Sequence, residues 1–157
     1  MLAELDIAFL FNRWFHLAAV IVAVGGTVFI RFVLHPTLKS TISEDAAKSV
    51  REALFRRWAR VLHTCIAILI LSGTYNAIVQ LPRHPVTPGH MPVYHVIFGV
   101  KVLLALTLFF IAIALTGRSR TFEGMRAKRP VWLGVAVLLA AVIILLSNFL
   151  RNLPGTP

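Results

Sequence analysis

Apolar residues in this chain come in four long blocks rather than in alternation: about Ile7–Leu34, Trp58–Leu81, Val93–Thr116 and Val131–Leu150. Each block reaches the roughly 20 residues a helix needs to cross the hydrocarbon of a bilayer. A lone strand would leave its backbone polar groups unpaired in lipid, and strict period-two alternation is absent, so the blocks predict four membrane-spanning α-helices. Pro36, Pro82, Pro92 and Pro130 punctuate the block ends, where a missing N–H costs little. Between the first two blocks, "SEDAAKSVREALFRRWAR" starts like a capped amphipathic helix over about 43–56, with Ser43 as N-cap and Glu44 and Asp45 in its first turn. The predicted fold is all-α, an integral membrane four-helix bundle in a single transmembrane domain over residues 1–157.

Composition agrees with this pattern. The chain is 58% hydrophobic and 14% charged, with a mean hydropathy of +0.81, well outside the range of soluble domains. Its 16 Lys+Arg outweigh 6 Asp+Glu. In a soluble protein that balance would suggest nucleic acid, but here the bases sit in blocks between apolar runs with no interleaved aromatics, and nucleic acid is discarded as a partner. The first link carries seven Lys/Arg from Arg31 to Arg60 and the third, "GRSRTFEGMRAKRP", carries five; Arg13, Arg83 and Arg151 are the three on the opposite side. The positive-inside bias therefore predicts that both termini and the second link face the periplasm or exterior, in a bacterial inner membrane. The N-terminus has acids ahead of its apolar run and lacks a small-residue cleavage signal, so the first helix is expected to be retained. The single Cys65 excludes an intrachain disulfide and a cysteine zinc framework.

Polar residues inside the blocks are the candidates for chemistry. Counting depth at about 1.5 Å per residue, His16 lies about a third of the way into the first helix from the outer side. His95 enters the third helix from that side, with Lys101 one to two turns deeper. His63 falls in the inner half of the second helix, and His35 marks the inner end of the first. Ionisable residues within spans usually face the bundle interior and mark a function. Lys101 finds no Asp or Glu in any span. It must snorkel along its own stem, deprotonate, or meet an anion supplied from outside, such as a haem propionate or an anionic substrate. Imidazoles facing one another across a helical bundle are a common way to hold haem iron. This points to one or two haem b groups, with His16 as an axial ligand, His95 as its partner and His63 at a second site. Gly25, Gly26, Gly99 and the "SGTYNA" stretch supply small residues for slots or close helix contacts.

Copper is the alternative cofactor. "RHPVTPGHMPVYH" gathers His84, His90, Met91 and His95 at the outer mouth, and imidazole with thioether suits copper ions. The bland alternative is that the histidines simply pack and hydrogen-bond within a structural or assembly subunit. No phosphate-binding glycine loop, serine nucleophile elbow or HExxH is present, and the spans hold no paired carboxylates.

"RWFHLAAVIVAVGGTVFIRFVLHP", "RRWARVLHTCIAILILSGTYNAI" and "YHVIFGVKVLLALTLFF" resemble the first three helices of the CopD-like and HemJ-like membrane families. The HemJ-like resemblance implies a haem b-containing protoporphyrinogen oxidase using His and Lys; His16, His35 and Lys101 match positions of its pattern. Where HemJ-like sequences commonly place a His two residues before that Lys, this chain has Gly99. The CopD-like resemblance implies copper uptake or resistance. The leading expectation is a membrane-embedded b-type haem protein moving electrons in the bilayer. Its expected partners are lipid, other redox subunits or a quinone, and further copies of the chain.

Overall fold

In the computed structural model, residues 7–80, 91–117 and 119–152 are described. All the regular structure among them is helical: α1 (Ile7–Phe29), α2 (His35–Thr41), α3 (Glu44–Tyr75), α4 (Met91–Thr116), α5 (Glu123–Ala127) and α6 (Arg129–Arg151), with π turns at Ile30–Leu34 and Asn76–Gln80 and a short 3₁₀ turn at Arg120–Phe122. Four of the helical stretches are long and apolar enough to cross a membrane. The protein is an all-α, multi-pass membrane bundle.

Two boundaries differ from the sequence expectation, each for a local reason. Helix one does not stop at Pro36. It widens into the π turn at Ile30–Leu34 and continues as α2 with Pro36 at its start. A proline ring clashes with the carbonyl four residues earlier, and the wider turn just before Pro36 is where the chain absorbs that conflict. The amphipathic segment and the second span are one continuous 32-residue helix, α3. No Gly or Pro interrupts it before Gly73. At 1.5 Å per residue it is about 48 Å long, so its charged first turns outlast a hydrocarbon core of about 30 Å. Ser43 does occupy the N-cap position, but its hydroxyl makes no capping bond; its carbonyl accepts from Ala47 N–H at 2.9 Å.

The main helix contacts close a ring: α1 packs on α3, α3 on α4, α4 on α6, and α6 on α1. Antiparallel neighbours joined by short links give this order directly. A tight contact lies in the α1–α3 seam, where a Cβ added to Gly26 would overlap the Trp58 indole, whereas Gly25 next to it faces open space. Only a glycine lets the two backbones meet with that ring between them.

The buried core is concentrated at the end carrying the basic links. Ile30, Phe55, Ile111, Leu115, Leu133 and Ala136 form it, with Trp58, Trp132 and Met125 packed around it. Two arginines close α4 there. Arg129 Nη2 donates to Leu115 O at 3.1 Å, while Arg126 donates to Gly117 O at 3.2 Å and to Ser119 O at 2.7 Å. Carbonyls that a helix end leaves unpaired thus gain charged donors.

Candidate functional site

At the opposite end, the α1–α3 seam turns polar. Asn12 and His16 are one turn apart on α1, and Ser72 and Asn76 are one turn apart at the end of α3. Because the helices run antiparallel, the pairs meet in register. Asn12 Nδ2 donates to Asn76 Oδ1 at 2.9 Å and lies 3.4 Å from Ser72 O, and His16 Nδ1 is 2.7 Å from Ser72 Oγ. Ser72 is itself among the few buried polar side chains.

The serine decides the histidine's tautomer. A hydroxyl has one proton to give, and Ser72 Oγ donates it to the Ile68 carbonyl four residues back, at 2.6 Å. The shared contact with His16 is then made by an Nδ1–H donating to Oγ. The Nε2 lone pair is left free, the arrangement a metal-ligating or basic imidazole has when its other nitrogen is anchored. Lys101 on α4 is near enough for its charge to act on the His16 ring. Its ammonium has no hydrogen-bond partner among the described residues, and no acid lies in α1, α4 or α6. A Cβ at Gly73, beside Ser72, would touch nothing within 4 Å, so space stands open next to the seam.

Other candidates from the sequence fall elsewhere. His95 follows Tyr94, its ring edge-on to the tyrosine at 5.9 Å, but it is exposed. The covered positions of α4 run through Tyr94, Phe98, Lys101, Ala105 and Leu108, and His95 is turned about 100° from that stripe. His63 is likewise exposed, one position past buried Leu62. The structure therefore brings His16 and Lys101 into one electrostatic neighbourhood and turns His63 and His95 outward. His35 is half-buried at the far end, on the wall of an open cleft. Met91 is exposed, while His84 and His90 lie outside the described residues. Among the described residues, no three His, Cys, Asp or Glu side chains converge as a protein-only metal site would need.

Sequence reasoning missed the partners of His16. The signal was present as matched four-residue steps, Asn12 to His16 and Ser72 to Asn76, on two helices joined antiparallel.

Fold and seam together define a small multi-pass membrane bundle with one anchored imidazole within reach of the charge of Lys101. The chain belongs to the family described as Domain of unknown function (DUF4149), which matches residues 18–112. That match takes in Ser72, Asn76 and Lys101 and begins two residues after His16. No curated protein and no solved structure matches the chain.

Proposed function

We propose that this is a membrane-embedded b-type haem protein of the bacterial inner membrane, with both termini on the outer side, in which His16 would hold the haem iron. The observation that carries the reading is the Nδ1–H of His16 held by Ser72, which leaves the Nε2 lone pair free for a ligand. Lys101 supplies positive charge to a propionate, a role open to it because no carboxylate of the spans competes for it. The open space at Gly73 leaves that side of the seam unfilled by protein. Haem would supply one-electron chemistry in the bilayer. The chain's own residues orient the imidazole, through Ser72, and keep the site inside apolar walls. The resemblance to HemJ-like sequences at His16 and Lys101 supports the same assignment, and a quinone or a neighbouring redox subunit is the electron-exchange partner this reading calls for.

The orientation rests on twelve Lys/Arg in the first and third links against three on the other side. An absorbance spectrum of the purified protein with a pyridine-haem assay tests the cofactor. A Soret band with a b-type α band on reduction is expected, lost in His16→Ala while the helical content stays that of the parent. A colourless protein carrying stoichiometric copper would replace this reading with a copper-handling one.

A further inference from the structure

The open cleft at the other end of the bundle has a volume of ≈ 900 Å³ and lies between the first turns of α3, the end of α4 and the α5–α6 corner. Its walls carry His35, Lys48, Arg51, Arg56, Arg126 and Arg129, with Glu52 as the only acid. Arg51 and Arg129 share this wall with His35 and are near enough for their charges to act on its ring.

Part of this cluster is built into the fold. Arg129 sits over the Phe55 ring, its Cζ 4.0 Å from the centroid, while its Nη2 donates to Leu115 O. Its Nε is buried without a hydrogen-bond partner, as is Nε of Arg31, whose side chain reaches α6 at Gly134. Arg126 is fixed by two carbonyls. Lys48, Arg51 and Arg56 have no hydrogen-bond or ion-pair partner among the described residues. Like charges held in one cleft repel; an anion in the cleft relieves that repulsion.

We propose that this cleft binds a phosphate-bearing anion, the headgroup of an anionic phospholipid or a free phosphate compound. Guanidinium forks match phosphate oxygens in pairs. Basic pockets at the ends of membrane helices take anionic headgroups. Fixed Arg126 and Arg129 form the floor, and Lys48, Arg51 and Arg56 on the exposed turns of α3 close on the ligand. The overhang of α3 beyond the hydrocarbon puts these residues at headgroup depth.

Native mass spectrometry of the detergent-purified protein titrated with dioleoyl phosphatidylglycerol or dioleoyl phosphatidylcholine tests the lipid source, and a thermal-shift titration with inorganic pyrophosphate tests the soluble one. Saturable retention of phosphatidylglycerol over phosphatidylcholine assigns a lipid; saturable stabilisation by pyrophosphate without lipid preference assigns a free phosphate compound. In either case the Lys48→Gln/Arg51→Gln double variant is expected to bind more weakly by roughly fivefold for each charge removed, with unchanged helical content. An Arg13→Gln/Arg151→Gln control, at the opposite end, is expected to bind as the parent does. Equal binding of both lipids with no response to pyrophosphate, or an equal loss in the control, overturns the proposal.

Discussion

The two ends of the bundle handle polarity in opposite ways. At the seam, Asn12, His16, Ser72 and Asn76 are polar groups that satisfy one another across two helices, and the charge of Lys101 acts on the imidazole. At the cleft, cations outnumber acids, and the Nε of Arg129 is buried with no hydrogen-bond partner. A closed network fixes geometry and leaves one lone pair to offer, whereas an open one is incomplete until something from outside completes it. The comparison teaches where each kind of ligand belongs: a coordinating group at the seam, an anion at the cleft.

Three substitutions sharpen that contrast. The largest effect is expected from Phe55→Ala at the charged end, which removes a core ring and the platform beneath Arg129. A loss of about 3 kcal/mol in detergent-unfolding experiments is expected; a loss below about 1 kcal/mol would mean that the arginine cluster stands without its aromatic floor. Next is Ser72→Ala at the seam. It strips the acceptor from His16 Nδ1–H and should lower stability by about 1–2 kcal/mol, with a shifted Soret maximum in the same preparation. An unaltered spectrum there would break the link between the serine and the ligand histidine. Smallest is His63→Leu, on the outward side of α3, where a stability change within about 0.5 kcal/mol and an unchanged spectrum are expected. A lost band would return His63 to the cofactor.

Most of the architecture was legible because the bilayer demands it: a run of some twenty apolar residues has almost no conformation open to it but a helix. Depth was legible for the same reason, since residues count off along the axis at a fixed rise. What the sequence hid was azimuth. Helix α4 has apolar residues on every side, so its hydropathy did not tell the inward stripe of Tyr94, Phe98 and Lys101 from the outward position of His95. The heptad step from Tyr94 to Lys101 was a usable hint, because residues seven apart share a face. The continuity of α3 was obscured by charge: its first turns read as a separate surface helix, yet no residue between them and the apolar run breaks the backbone. Helix one was harder, since Pro36 is a strong stop signal and the π turn that accommodates it leaves no mark in composition.

The Trp58 indole seated on Gly26 acts as a key in a lock. Were α1 to slide by one helical turn along α3, the ring would face a side chain instead of bare backbone. That contact sits about 15 Å along α1 from His16, ten residues away, yet it sets which pair of residues faces each other at the far end of the seam. The depth at which the imidazole is presented to the membrane interior is therefore gauged from a distance, by a tryptophan that never comes near it.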